Sequence, residues 1–267
     1  EELNVTVVDQ YHPLLGLWGR NRPAEELLAI AARVEHLTRD PNLPGVAELK
    51  AFAKVWQESG YKPVVLGGDP VHPGPVGQYT MAATILSALN VDREVSAATL
   101  KADGTVAAQE RCKITDVSVK EGVLAFTRLD ERRPWPIALH ARDCLRLMPE
   151  MADLSRYMLT VTGLPEGEYE VVTQGAVAAK ATAAELAAGH NLSTVTAGVI
   201  AERGEQILDL IAALQGPLNT AWRAASKAGD AAKLQDAEKA LVEHEAKVAA
   251  ACRPEAIRFE IRPAKAR

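Results

Sequence analysis

Two segments of the chain place an aspartate three residues before a histidine that is followed by proline. One runs from Asp69 to Pro73 and the other from Asp9 to Pro13. An imidazole becomes an effective general base when a carboxylate holds one ring nitrogen and the other faces the substrate. In a tight loop this spacing lets the two side chains meet. Each segment is therefore either an Asp–His pair for proton transfer or a structural turn, because aspartate often initiates turns.

The residues after His72 favour a rigid loop. Pro73 and Pro75 restrict the backbone, and Gly77 gives it freedom where a helix is expected to begin. The apolar residues from Gln78 to Leu89 predict that helix. A rigid loop supported by a helix suits a preorganised catalytic group.

The elements that position these segments alternate between extended and helical patterns. Short apolar runs predict extended segments, and apolar residues at helical spacing predict helices. The predicted order is a strand at Val5 to Val8, helices from Ala24 to Asp40-Pro41 and from Pro44 to Ser59, and an extended segment from Lys62 to Asp69. This order is typical of an α/β layer fold.

Beyond residue 91 the pattern changes to strands and then to helices. Turn signals at Asp103-Gly104 and Glu121-Gly122 predict an antiparallel meander, and those at Pro165 to Gly167 predict a hairpin. Thr182 and Glu185 form a capping-box signature before a short helix. The last third is predicted to be helical, broken at Gly216-Pro217, with a closing strand at Ala256 to Ile261.

The final helix carries a narrow seam. Leu234, Leu241 and Val248 lie seven residues apart, and His244 falls in a companion position. This pattern predicts packing against another helix, with His244 as a packing residue.

Composition excludes several classes of protein. The chain has 267 residues, 48% of them hydrophobic, and a formal net charge of −5. A nucleic-acid-binding protein would need a concentrated basic surface, so nucleic acid is not an expected partner. No apolar run approaches the roughly 20 residues that a membrane span requires. Cys112, Cys144 and Cys252 are widely spaced, so neither a zinc site nor a disulfide framework is indicated, and they are expected to be buried free thiols.

The string from Asp69 to Leu86 resembles the last conserved block of SGNH (GDSL-type) hydrolases, in which Asp-x-x-His-Pro precedes a glycine and an apolar helix. The strand and helix around Val5 to Leu15 are similar to those upstream of that block. The resemblance implies an α/β fold: residues 1–91 would be the C-terminal part of a flavodoxin-like, three-layer domain. A β-rich region (92–180) and a helical region with a terminal strand (181–267) would follow, as in a bacterial subgroup.

By this resemblance His72 is the general base and Asp69 its orienting partner in the hydrolysis of a small-molecule or carbohydrate ester. The family needs no metal or organic cofactor, and its members are often exported, which implies a periplasmic or secreted location. Its serine nucleophile lies in a Gly-Asp-Ser block, which none of the seven serines here matches. The nucleophile is therefore expected upstream of residue 1 or on a companion chain, and this chain alone is expected to be inactive. Asn191 does not match the family's asparagine block and receives no oxyanion role.

Alternative functions remain open. The meander and the seam of the last helix could serve a non-catalytic assembly protein that oligomerises through its helices. A metal-dependent hydrolase could use Asp69, His72 and His12. Asp9 and His12 are otherwise interpreted as structural; the alternative is that they line the site, because Asp9 ends the predicted parallel strand.

A further segment, Arg128 to Asp143, carries four arginines. We interpret it as a solvated loop, with contact to an anionic or sugar substrate as the alternative.

Overall fold

A computed structural model describes residues 7–59, 66–68 and 72–264. The chain is mixed α/β with two sheets, which confirms the expected class at that level. It forms two compact units. The first comprises Glu1–Val91 and Leu139–Leu154, and the second comprises Asp92–Ala138 and Ser155–Arg267. The first unit therefore draws on two separate stretches of sequence.

In its described part, the first unit is built from helices. They are α1 (Tyr11–Arg20), α2 (Ala24–Thr38), α3 (Pro44–Ser59), α4 (Pro75–Ala88), α5 (Asp143–Leu147) and 3₁₀ turns at Leu139–Ala141 and Pro149–Leu154. The predictions of α2 and α3 are confirmed. The predicted strand at Val5 to Val8 and the extended segment from Lys62 to Asp69 lie largely outside the described residues.

One buried cluster of the first unit lies between α2 and α3, with Trp18 of α1 packed against it. Leu27 of α2 packs with Val46 and Ala53 of α3, all fully buried. The indole of Trp56 donates to the carbonyl oxygen of Gly19 at 3.3 Å. A side chain at Gly19 would overlap the ring of Phe52, so glycine allows α1 and α3 to approach closely.

The segment Leu139–Leu154 is anchored to α1 at Arg20. The Arg20 Nη1 donates to the Leu147 carbonyl oxygen at 2.9 Å and to Glu150 Oε1 at 3.0 Å. A residue near the start of the chain thus holds a segment more than a hundred residues away.

In its described residues, the second unit contains nine strands. They are β1 (Glu94–Lys101), β2 (Val106–Glu110), β3 (Cys112–Lys120), β4 (Val123–Asp130), β5 (Arg156–Thr162), β6 (Glu168–Thr173), β7 (Ala176–Thr182), β8 (His190–Asn191) and β9 (Ile257–Pro263). One sheet has the order β2-β1-β5-β8 and the other β3-β4-β9-β6-β7. The predicted turns at Asp103-Gly104 and Glu121-Gly122 are confirmed, because β1–β2 and β3–β4 are antiparallel pairs.

Both sheets contribute to one buried cluster. Leu159 and Val161 of β5 enter it from the four-stranded sheet, and Phe126 of β4 with Phe259 of β9 from the other. The two phenylalanine rings stack with centroids 5.2 Å apart. The C-terminal strand β9 pairs with both β4 and β6, so a late segment of sequence occupies the middle of its sheet.

The predicted hairpin across Pro165 to Gly167 is wrong. Strand β5 pairs in parallel with β1, whereas β6 pairs with β7 and β9 in the other sheet. The hairpin lies instead between β6 and β7, where Gln174 and Gly175 both have positive φ. Two consecutive positive φ values are characteristic of a tight hairpin turn.

Four α-helices complete the part of the second unit that the structure describes: α6 (Ala183–Ala188), α7 (Gly198–Ala213), α8 (Asn219–Ala228) and α9 (Ala231–Ala251). The capping box of α6 is confirmed, since the Thr182 side chain accepts from the Glu185 amide and Glu185 accepts from the Thr182 amide. Gly216-Pro217 does not end the helical run. A π-helical turn, Leu214–Leu218, carries the chain from α7 into α8.

The seam of α9 packs within the second unit. Leu234, Leu241 and Val248 are half-buried, and α9 contacts both α7 and α8. His244 Nε2 lies 2.8 Å from the Leu210 carbonyl oxygen. A carbonyl only accepts, so Nε2 carries the hydrogen and His244 is the packing residue that the seam predicted.

Candidate functional site

His72 lies at a bend directly before α4, where two stretches of backbone press together. Gly68 and Pro73 form an isolated antiparallel bridge. A side chain at Gly68 would overlap the backbone of His72 and Gly74, and Gly68 has a φ of +78°. Glycine is therefore required at position 68, both because a side chain would overlap the backbone and because the positive φ disfavours other residues. The backbone contact gives the His72 segment a defined conformation at the entrance to the helix.

The start of α4 follows from its sequence. Pro75 occupies the first helical position, where its missing N–H costs nothing and its φ suits the helix. The helix thus begins three residues before the predicted Gln78. Gly77 packs tightly beneath Pro73, where an added Cβ would lie 2.6 Å from the proline Cβ. His72 is exposed, so its imidazole is accessible to a small molecule.

Asp69 lies outside the described residues. The predicted contact between Asp69 and the His72 ring therefore stays a prediction, and so does its catalytic role. The described residues on either side are Gly67 and Gly68 before the aspartate, both with positive φ, and Pro73 and Gly74 after the histidine, which lead into α4.

The other Asp-x-x-His segment forms a side-chain pair. Asp9 Oδ2 lies 2.6 Å from His12 Nδ1. Hydrogen bonding by His12 lowers the pKa of Asp9, and hydrogen bonding by Asp9 raises the pKa of His12. The other Asp9 oxygen accepts from the amides of Tyr11 and His12, as a helix cap does. Glu48 Oε1 is 4.0 Å from His12 Nε2.

Contacts of α1 with α4 locate this pair within the first unit. Gln10 Nε2 lies 3.4 Å from the Met81 carbonyl oxygen, in the middle of α4. Leu14 lies close to Gly77, in the first turn of α4. Helix α1 therefore runs antiparallel to α4, and its Asp9–His12 end is beside the middle of α4. His12, midway between these two contacts, is then about 6 Å along the helix axis from Pro75, the first residue of α4.

Asn191 has a structural role. Its Oδ1 accepts from the amide of Tyr157 and from that of Ser193, both at 3.1 Å. These bonds join β5 to the 3₁₀ turn that follows β8. The oxygen is thus committed to backbone amides.

The interpretation of Arg128 as part of a solvated loop is wrong. Leu124, Phe126, Arg128 and Asp130 alternate along β4 and all face inward. Arg128 is completely buried, with Nε 2.8 Å from Asp130 Oδ1 and its guanidinium 4.2 Å from the centre of the Tyr157 ring. The alternation along β4 is the sequence signal for this burial, even though the inward-facing Arg128 and Asp130 are charged.

Further contacts complete this buried network. Ser96 Oγ lies 2.7 Å from Arg128 Nη2 and 2.6 Å from Asp130 Oδ1. Tyr157 donates its hydroxyl hydrogen to Asp130 Oδ2 at 2.6 Å, and burial raises the pKa of this phenol. The Met158 carbonyl oxygen accepts from Arg128 Nη1. Each charged group has its partners inside the protein, so the network stabilises the core and offers no reactive group to a substrate.

Other classes of site were sought in the same residues. Within 7–59, 66–68 and 72–264, no three His, Cys, Asp or Glu side chains come together as metal ligands. The metal alternative includes Asp69, which is outside these ranges. Over the same ranges, no helix is long and apolar enough to cross a bilayer.

Comparisons with known proteins concern the fold. No family model and no curated protein matches the chain. Among solved structures it is similar to BT4096, a gut microbial diltiazem-metabolizing enzyme, with a TM-score of 0.59 and 16% sequence identity. The match covers 82% of this chain and 61% of that enzyme. The chain thus spans about three fifths of the neighbour's length, and at this identity the likeness is one of fold.

Proposed function

We propose that the chain is the C-terminal part of an SGNH-type serine ester hydrolase in which His72 is the general base and Asp69 orients it. The observation that carries the proposal is the string from Asp69 to Leu86, with an exposed His72 at the bend before an apolar helix. The structural neighbour is named as a metabolizing enzyme, and the chain covers 61% of it. A fold shared with a longer enzyme is consistent with a catalytic domain only part of which lies in these residues.

The proposed chemistry is acyl transfer to water through a seryl ester. His72 accepts the serine hydroxyl proton as the oxygen attacks the ester carbonyl, and returns it to the departing alcohol. A water molecule then attacks the acyl-serine, again with His72 as base. Asp69 holds the ring and stabilises the imidazolium.

The loop around His72 supports this role. A general base must keep its ring in position through both half-reactions. The glycines at 67, 68 and 74 allow the close backbone approach that holds the bend, and α4 extends directly from it. The nucleophile is proposed to lie outside the 267 residues, because no serine here has a Gly-Asp-Ser context.

The test uses the protein produced from its full-length coding sequence, with p-nitrophenyl acetate as substrate. His72→Ala is expected to lower kcat by about 10⁴-fold or more, and Asp69→Asn by about 10⁴-fold. His12→Ala is the matched control, since it removes the histidine of the other Asp-x-x-His segment. It is expected to change kcat by less than roughly threefold, because His12 lies outside the reacting groups. Unchanged turnover in His72→Ala would refute the assignment.

Two further arms separate the alternatives. A fluorophosphonate should label one serine in the full-length protein, and EDTA should leave turnover unchanged. Loss of activity on chelation would favour the metal-dependent hydrolase instead. A full-length protein without esterase activity or labelled serine would favour the assembly protein.

A further inference from the structure

Two arginines of the second unit, Arg133 and Arg203, lie where three segments meet. These are the loop after β4, helix α7 and the segment that leads into β9. Pro136 of the loop packs on Gly204 of α7, where an added Cβ would lie 3.3 Å from the proline Cβ. Arg133 Nε donates to the backbone carbonyl oxygen of residue 253 at 2.9 Å. We call Arg133 and Arg203 the arginine cluster.

One carboxylate pairs with the cluster among the described residues. Glu255 Oε2 lies 2.5 Å from Arg203 Nη2, and its side chain is 64% exposed. An exposed carboxylate in water holds a guanidinium weakly, so Glu255 can yield its place to a stronger anion. The two positive charges of Arg133 and Arg203 are thus left with incomplete compensation.

The guanidinium of Arg203 also has an unused donor. Its Nη1 is buried and meets no hydrogen-bond acceptor in the part of the chain that the structure describes. Buried donors are almost always paired, and an unpaired one on a cation is especially unfavourable. Burial and the neighbouring charge of Arg203 lower the pKa of Arg133. Both arginines also contact the short segment that leads into β9, Arg133 at the carbonyl oxygen of residue 253 and Arg203 at Glu255.

We propose that Arg133 and Arg203 bind a phosphate group, either as inorganic phosphate or as a phosphate monoester. A guanidinium presents two parallel N–H donors that match the oxygens of such a group. A dianion between the two arginines would supply acceptors to the free Arg133 Nη groups and replace Glu255 on Arg203. This site belongs to the second unit and is independent of the proposed ester hydrolysis.

Calorimetric titration of the full-length protein with inorganic phosphate at pH 7.5 tests the site, at an ionic strength held constant with sodium chloride. Arg133→Gln and Arg203→Gln should each weaken binding about tenfold, because each removes charge-assisted hydrogen bonds. Arg132→Gln is the matched control, since the adjacent Arg132 pairs with Asp92 at 3.1 Å, and should leave affinity unchanged. Glu255→Gln should tighten binding, because it removes the competing carboxylate.

The same titrations can overturn the proposal. The proposal is overturned if no binding is detected at 10 mM phosphate, which is roughly the weakest affinity that ordinary titration resolves. It is also overturned if Arg132→Gln loses as much phosphate affinity as Arg133→Gln. If Arg203→Gln does not fold, as judged by circular dichroism, Arg133→Gln decides alone. Acetate that binds as tightly as phosphate would refute the preference for a dianion. Tighter binding of glycerol phosphate than of inorganic phosphate would identify the ligand as a monoester, and the reverse order as the free ion.

Discussion

The carboxylate of Asp9 lies 2.6 Å from Nδ1 of His12 and also caps the first turn of α1. This pair has the contact expected of a catalytic Asp–His pair, yet helix capping alone accounts for it. An aspartate that caps a helix faces the side chain three residues later because both lie over the first turn. The contact between an aspartate and a histidine at this spacing is therefore weak evidence for catalysis.

The first prediction concerns the titration of His12. In Asp9→Asn the pKa of His12 should fall, because the hydrogen bond and negative charge that raise it are lost. The pKa of His12 is measured by NMR of its ring protons over pH 5 to 9, which is roughly the range around the usual histidine pKa. Asp40→Asn, which removes an exposed carboxylate from the same unit, is the control. An equal His12 pKa in Asp9→Asn and wild type would contradict the contact.

The pKa shifts of His12 and Asp9 determine how the pair's contribution to stability depends on pH. The folded pKa of His12 is raised above 6.5, so its contribution to stability is complete below that pH and is lost as pH rises through the raised value. The folded pKa of Asp9 is lowered below 3.8, so its contribution is complete above that pH and is lost as pH falls through the lowered value. The pair therefore contributes most at mildly acidic pH.

The second prediction concerns the buried charge of Arg128. Arg128→Met should lower the free energy of unfolding by about 3–5 kcal/mol, because Asp130 would stay buried without its cation. Arg132→Met removes an exposed arginine whose partner Asp92 keeps Arg111, and should cost at most about 1 kcal/mol. Urea unfolding followed by circular dichroism compares the two. Equal losses would show that Arg128 is not the stabilising residue that its burial implies.

A third prediction follows from the central position of β9. Phe259→Ala should destabilise the protein by about 3–5 kcal/mol, because it empties a buried ring site stacked on Phe126. Val242→Ala, on the exposed face of α9 with 65% of the side chain accessible, should change stability by less than about 0.5 kcal/mol. Urea unfolding of both variants provides the measurement, and a small effect at Phe259 would argue against the strand order.

The fourth prediction concerns the loop that holds His72. Gly68→Ala should destabilise the loop by about 1–3 kcal/mol, since the methyl group would overlap the backbone of His72 and Gly74 and the positive φ disfavours alanine. Amide hydrogen exchange in the first turn of α4 should accelerate. Gly16→Ala is the control, because nothing lies within 4 Å of the position of its added Cβ. Unchanged exchange in Gly68→Ala would contradict the tight bend.

Local sequence predicted the helices better than the pairing of the strands. The bounds of α3 and the capping box at Thr182 depend on residues a few positions apart, and both predictions are confirmed. The β5–β6 hairpin failed because the signal at Pro165 to Gly167 identifies a turn but not the partners of the strands beside it. Strand β5 instead pairs with β1, some sixty residues earlier.

The candidate site also combines features that local sequence predicts with features that depend on contacts between distant segments. The sequence by itself determined that a histidine precedes an apolar helix, and the proline and glycine content of the loop determined that its backbone would be restricted. Only the tertiary structure decided that Gly68 packs against His72 and Gly74, that Arg128 is buried beside Asp130, and that Arg133 and Arg203 contact the same segment before β9. Backbone conformation follows from neighbouring residues, whereas burial and charge pairing depend on contacts between segments that are distant in sequence.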